Sequence, residues 1–130
     1  MIPTIEFTIP IEPVAKARPR LGRGGHVFTP PKTKKFESQF VQLAKKFQPT
    51  LPRSGPIEVR LGFFVAKPKS TKRHYPTIKP DVDNLAKAVL DAMNGRFYED
   101  DSQVVTLTLT KRYSIDPRIE VYIETIELYT

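Results

Sequence analysis

The chain of 130 residues contains no cysteine and only two histidines, His26 and His74. Disulfide bonds and thiolate metal sites are therefore excluded, and a metal ion would be a hard cation held mainly by oxygen. No stretch approaches the roughly 18 to 20 uninterrupted apolar residues of a membrane span, and the N-terminus has no positively charged lead before an apolar run. We therefore expect a cytoplasmic protein without membrane contact.

Basic residues are concentrated in two segments that contain no acidic residue. Seven Lys or Arg residues lie between Glu12 and Glu37, and six more lie between Glu58 and Asp81. These segments hold 13 of the 21 basic residues in a chain of formal net charge +7. Two solvated loops would explain the pattern. However, the first segment mixes arginines with glycines before Phe28, as a flexible loop that grips phosphate would.

Hydrophobic spacing divides the chain into strands and helices. Alternation predicts strands in "TIEFTIPIE", whose prolines favour a sheet edge, in "PIEVRLGFFVAK", and briefly in "HVFTP". Apolar residues three and four apart predict helices over 31–48 and 84–93. Two final alternating runs predict a terminal hairpin. The expected fold is one α+β (α/β-like) domain over residues 1–130, with a mixed sheet of about four to five strands and two helices on one face.

Acidic residues crowd into one short stretch of this basic chain. Six of the 14 Asp and Glu residues lie between Asp81 and Asp101, with only Lys87 and Arg96 to offset them. Asp81 and Asp83 are two residues apart in an extended lead-in to the second helix, so their carboxylates can lean to the same side. Alternatively, Asp83 is simply the N-cap of that helix.

Lys87 and the acids at 99–101 extend this pattern. Lys87 lies one helical turn after Asp83, so its ammonium can reach back over the carboxylates. An exposed ladder of Asp83, Lys87 and Asp91 is the alternative. The three adjacent acids are either surface acids of a turn or a repulsive cluster that a cation must neutralise. Mg²⁺ would do so, because it can be shared between carboxylates and a substrate phosphate.

Taken together, four motifs resemble a known family. The stretches "KPDVDNLAK", "DAMNG" and "YEDDSQV", with the opening "PVAKARPR…GHVFTPPKT", are similar to the RusA family of Holliday junction resolvases, endodeoxyribonucleases common in prophages and bacteria. The resemblance spans most of the chain, and the combination DxDN…K…DD is specific to it. Lys79 and Pro80 replace other residues that stand before the first aspartate in the family.

The resemblance implies a site, a cofactor and a substrate. The metal-binding aspartates of the family fall on Asp81, Asp83 and Asp101, and its essential lysine falls on Lys87. These four are the expected catalytic residues. Asp100 stays open as an alternative ligand to Asp101, which we favour because it directly precedes the strand. The resemblance further implies a homodimer that depends on Mg²⁺, with Mn²⁺ as a substitute. This dimer would nick four-way DNA symmetrically in recombination and repair. The expected DNA-binding residues are Lys16, Arg18, Arg20, Arg23, Lys69, Lys72 and Arg73.

Two other functions are compatible with these features. A non-catalytic DNA- or RNA-binding protein would also carry basic loops beside a small sheet. It would have no reason to place an acid cluster next to its basic surface. A metal-dependent nuclease specific for flaps or single strands also remains open, because selectivity for four-way junctions depends on the spacing of two active sites across a dimer.

Overall fold

A computed structural model of the chain describes residues 2–18 and 20–127, with the exception of the Arg20 side chain. Short 3-10 turns follow α1, precede β5 and lie between β2 and β3. The regular elements are β1 (Ile5–Ile9), β2 (Arg20–Leu21), β3 (Val27–Phe28), α1 (Pro31–Ala44), β4 (Ile57–Ala66), α2 (Val82–Met93), β5 (Val104–Ser114) and β6 (Arg118–Thr125). The predicted strands and both predicted helices are therefore confirmed.

Four strands form a mixed sheet in the order β1-β6-β4-β5. Strand β6 is antiparallel to both β1 and β4, whereas β5 runs parallel to β4. Strand β1 lies at an edge, as its flanking prolines predicted. Strands β2 and β3 pair with each other and, in the described part of the chain, with no other strand, so they form a separate two-stranded ribbon.

The predicted terminal hairpin is wrong, because β4 lies between β5 and β6. The physical reason is burial. Strand β4 carries Ile57, Val59, Leu61 and Phe63, all at most 2% exposed, and a central position covers them from both sides. A β5–β6 hairpin would have moved β4 to the edge of the sheet. Strand β5 takes the edge instead, where Val105 remains 62% exposed.

Both helices cover the same face of the sheet, as predicted. One apolar cluster joins them to the inward side chains of β1, β4 and β6. Phe7 lies near its centre, with its ring centroid 5.0 Å from that of Phe47 and 5.2 Å from that of Phe97. Burying such a ring stabilises the fold by about 1.5–3 kcal/mol. The opposite face, which carries Glu6 and Glu120, is exposed.

Helix α2 packs through Leu85, Ala88, Val89 and Ala92, which recur at steps of three and four residues and are all buried. It ends before Gly95, whose φ of +77° lies in the left-handed region that glycine adopts most readily. The exposed side of the same helix is therefore available for the site described below. Within the described residues, the helices are too short and polar to cross a membrane.

Candidate active site

The N-terminus of α2 carries the first two candidate aspartates. Asp81 is the N-cap residue: its backbone is extended, and its carbonyl accepts the N–H of Leu85 at 3.1 Å. Its carboxylate makes no capping hydrogen bond. Asp83 lies inside the first helical turn, so neither its expected extended backbone nor its alternative role as N-cap is correct. Both negative charges are placed favourably at the positive end of the helix dipole.

A small cavity between α2 and β5 brings together residues from two separate motifs. Its volume is about 180 Å³, and Asp83, Lys87 and Asp101 all line it. Asp81 does not belong to its lining in the described structure. The cavity exists because β5 begins directly after the turn that carries Asp101 and then runs beside α2. The remaining wall residues are Ala86, Leu90, Asp91, Leu107 and Leu109.

The charges of Asp83 and Asp101 are not neutralised by neighbouring side chains. Both residues are exposed, and among the side chains that the structure describes neither forms an ion pair. Two uncompensated carboxylates on one small cavity are the donor set that a hard divalent cation prefers. In the same part of the chain, no three acidic or histidine side chains are already gathered closely enough to hold a metal ion. Two of the three expected ligands are therefore juxtaposed, and the third is one residue before α2.

Asp91 lines the same cavity but has a cationic partner. Its Oδ2 lies 3.4 Å from Lys16 Nζ, which also donates a hydrogen bond to Glu37 Oε1. Among the described residues Lys87 forms no ion pair, so the alternative ladder through Asp83, Lys87 and Asp91 is absent. The structure thus separates Asp91, whose charge is compensated, from Asp83 and Asp101, whose charges are not.

Lys16, one of the expected DNA-binding residues, contacts two carboxylates. Its side chain is 17% exposed and bridges Glu37 of α1 to Asp91 of α2. Burial lowers the pKa of Lys16, but the hydrogen bond and charge of Glu37, with those of Asp91, outweigh burial and raise the pKa overall. An ammonium engaged by two carboxylates is poorly placed to bind phosphate. Lys16 instead fastens the start of the first basic segment to both helices.

The neighbouring acids Asp100 and Asp101 have different surroundings. Asp100 Oδ2 accepts the N–H of Ser102 at 3.0 Å, and Gln103 Oε1 accepts the N–H of Asp100 at 2.7 Å, which forms a capping box. The hydrogen bond from Ser102 lowers the pKa of Asp100. Asp101 contributes to the cavity instead. This arrangement favours Asp101 over Asp100 as the candidate ligand.

Sequence reasoning missed the residues that hold this turn in place. Asn94 Oδ1 accepts the backbone N–H of Asp101 at 2.9 Å, which ties the end of α2 to the turn. Gln103 Nε2 donates to the carbonyls of Arg53 and Gly55, both at 2.9 Å. The signal was present, because Asn94 belongs to "DAMNG" and Gln103 to "YEDDSQV". However, neither motif indicates by itself which main-chain group the side chain bonds.

The other candidate DNA-binding cations lie in two exposed regions. One surrounds the β2–β3 ribbon, and the other is the loop between β4 and α2. The second loop ends at Pro80, directly before Asp81. Its basic residues and the first candidate aspartate therefore belong to one continuous segment of the chain. The side chain of Arg20 lies outside the described structure. The exposed members are Arg18, Arg23, Lys69, Lys72 and Arg73.

A family model and one named relative indicate the same family. The family model described as "Endodeoxyribonuclease RusA" matches residues 10–124, which include both basic segments and all the acidic motifs. "Uncharacterized protein YqaN" of Bacillus subtilis (strain 168) is 39% identical over 137 residues, covering 94% of this chain and 96% of the relative. "Crossover junction endodeoxyribonuclease rusA" of Lactococcus phage r1t is 40% identical over 70 residues, about half of each chain at 52% and 53%.

Proposed function

This chain belongs to the RusA family of endodeoxyribonucleases, and from that premise we propose that it resolves four-way DNA junctions by paired, symmetric phosphodiester cleavage. The observation that carries the proposal is the cavity in which Asp83, Lys87 and Asp101 meet between α2 and β5. The name of the phage relative, a crossover junction endodeoxyribonuclease, supports the choice of substrate.

Asp81, Asp83 and Asp101 would hold the divalent cation on which nucleases of this family generally depend. We propose Mg²⁺, with Mn²⁺ as a substitute, because carboxylate oxygens and water are its preferred ligands. A bound cation of this kind lowers the pKa of a water ligand and stabilises charge on the scissile phosphate. The carboxylate of Asp81 makes no capping hydrogen bond, so it is free to turn toward the other two.

Lys87 would act on the phosphate itself. It is exposed, lines the cavity and lies one helical turn after Asp83. A positive charge at this position would stabilise the negative charge that develops on the phosphate, or orient the attacking water. Because Lys87 has no carboxylate partner among the described residues, its charge is available for that purpose.

The exposed cations of the two loops would bind the junction arms through their phosphates. A homodimer would present two such sites, which paired nicks in two strands require. This activity would serve DNA recombination and repair in the cytoplasm of a bacterium, and the gene would be of cellular or prophage origin. The cavity lined by Asp83, Asp91 and Asp101 argues against a protein that only binds nucleic acid.

One gel assay tests the proposal. Labelled four-way junction, linear duplex and flap DNA are incubated with the protein, with and without Mg²⁺, and Asp83→Asn serves as the inactive control. We expect paired nicks in the junction alone and only with the metal. Preferred cutting of the flap would identify a flap nuclease instead. Binding without any cutting, with Mg²⁺ or Mn²⁺, would identify a binding protein.

A further inference from the structure

We infer that Lys111 is a positioning residue for the candidate active site, where its ammonium group holds the segment that leads into Asp81. The inference rests on the proposed function, because only that function gives Asp81 a task. Lys111 stands on β5 and pairs in register with Phe63 of β4. Since Phe63 is buried under the helices and side chains alternate along a strand, Lys111 shares the helix-covered face with Leu109, which lines the cavity.

The ammonium of Lys111 makes two hydrogen bonds to the main chain of the preceding loop. Nζ donates to the carbonyl oxygens of Ile78 and Pro80, both at 2.8 Å. Pro80 is bonded directly to Asp81. Hydrogen bonds from a charged donor are shorter and stronger than those between neutral groups. Lys111 thus connects β5 to Pro80, the residue before Asp81. This contact sets the position of Asp81 relative to the strand.

The loop needs such a contact because its sequence limits what its own backbone can do. Pro76 and Pro80 have no N–H to donate, so this part of the chain cannot form a regular ladder with the free edge of β5. The loop makes main-chain bonds to that strand only farther from Asp81: Lys67 N–H donates to the carbonyl of Ser114 at 3.0 Å, and Tyr113 N–H donates to the carbonyl of His74 at 2.8 Å. Closer to Asp81, the side chain of Lys111 supplies the link.

The surroundings of Lys111 also argue against a simple role in binding phosphate. The residue is partly buried, and two of the three donors of its ammonium are directed at carbonyl oxygens. Among the described residues it forms no ion pair with a carboxylate, and the partners of its ammonium are the two carbonyl oxygens. A lysine that bound DNA would be exposed to solvent, as Lys69 and Lys72 of the loop between β4 and α2 are.

Amide hydrogen exchange and metal binding test this inference on the full chain. Lys111→Met removes the donors and keeps an unbranched side chain, Lys111→Arg keeps donors, and Lys45→Met is a matched control at an exposed lysine after α1. Exchange is followed by mass spectrometry in peptides that span 74–84, and Mn²⁺ binding is titrated by electron paramagnetic resonance. Melting temperatures verify folding, and Lys111→Leu, which also lacks donors, replaces the methionine variant if that variant does not fold.

We expect Lys111→Met to exchange faster in 74–84 alone and to bind Mn²⁺ at least tenfold more weakly, since losing a group that orients a metal ligand costs roughly 10- to 100-fold in affinity. Lys111→Arg should recover most of both properties, and Lys45→Met should match wild type. Unchanged exchange in 74–84 would overturn the inference. Faster exchange with Mn²⁺ affinity within about twofold of wild type would also overturn it, because the loop would then be irrelevant to the site. If wild type itself takes up no Mn²⁺, the proposed function fails, and exchange alone decides whether Lys111 holds the loop.

Discussion

Replacing Lys87 with alanine separates a catalytic role from a structural one. Lys87 is exposed on α2 and forms no ion pair among the described residues. Its removal should therefore cost well under 1 kcal/mol of folding free energy, as exposed charges generally do. For a chain of this size, that is a fall in melting temperature of less than about 4 °C. Affinity for the junction should change little, because the two basic segments are expected to supply most of the phosphate contacts.

Turnover should behave differently if Lys87 stabilises the transition state. Deleting one preorganised electrostatic group lowers the rate by about 10² to 10³, or roughly 3 to 4 kcal/mol. The assay is single-turnover cleavage of a four-way junction at saturating protein, with the melting temperature and junction Kd measured on the same preparation. Lys45→Ala provides a matched control with the same change of charge.

The catalytic assignment would be refuted by a Lys87→Ala variant that melts and binds normally and cuts within about threefold of wild type. A threefold loss corresponds to only about 0.65 kcal/mol, at 1.36 kcal/mol for each tenfold change in rate. That value is too small for a charge acting directly on the scissile phosphate. It is the size expected of an exposed side chain next to the site.

Each of the three metal-site variants, Asp81→Asn, Asp83→Asn and Asp101→Asn, should reduce cleavage by several orders of magnitude and leave junction binding intact or tighter. Asp91→Asn should cut within about tenfold of wild type, because Lys16 already compensates the charge of Asp91. Near wild-type cutting by all three metal-site variants would place the metal elsewhere. Junction binding should weaken by roughly 10³-fold or more between about 50 and 200 mM salt if six or so phosphates are contacted. A shallow dependence in a filter-binding titration would make the basic loops ordinary surface. Because the pKa of Asp100 is lower in the folded state, its ionised carboxylate stabilises the fold. This contribution is present above the ordinary carboxyl pKa of 3.8 and is lost as the pH falls through the lower pKa of the folded state. The melting temperature of wild type should therefore fall more steeply below pH 4 than that of Asp100→Asn. Parallel decreases of the two melting temperatures with pH would contradict this assignment.

Features that depend on near neighbours in the chain were predictable from the sequence. Alternation of buried and exposed side chains in β1 and β4, and the three- and four-residue steps in α2, follow from backbone geometry within each element. Local geometry also explains why two of the candidate residues, both in α2, lie together. Asp83 and Lys87 lie on the same side because one helical turn separates them, whatever surrounds the helix.

Features that depend on contacts between distant parts of the chain required the tertiary structure. Alternation identifies a strand but not its partner, so the placement of β4 between β5 and β6 followed only from burial of its side chains. The meeting of Asp101 with Asp83 depends on that placement, because β5 must lie beside α2 for the cavity to form.

The basic residues illustrate the same physical distinction. In the sequence, Lys16 and Lys111 are two cations among 21. In the fold, one bridges carboxylates of two helices, and the other bonds carbonyls next to Asp81. Electrostatic interactions and hydrogen bonds act over a few ångströms and are specified by position in space, so the partner of a long, flexible side chain is decided by the path of the backbone around it.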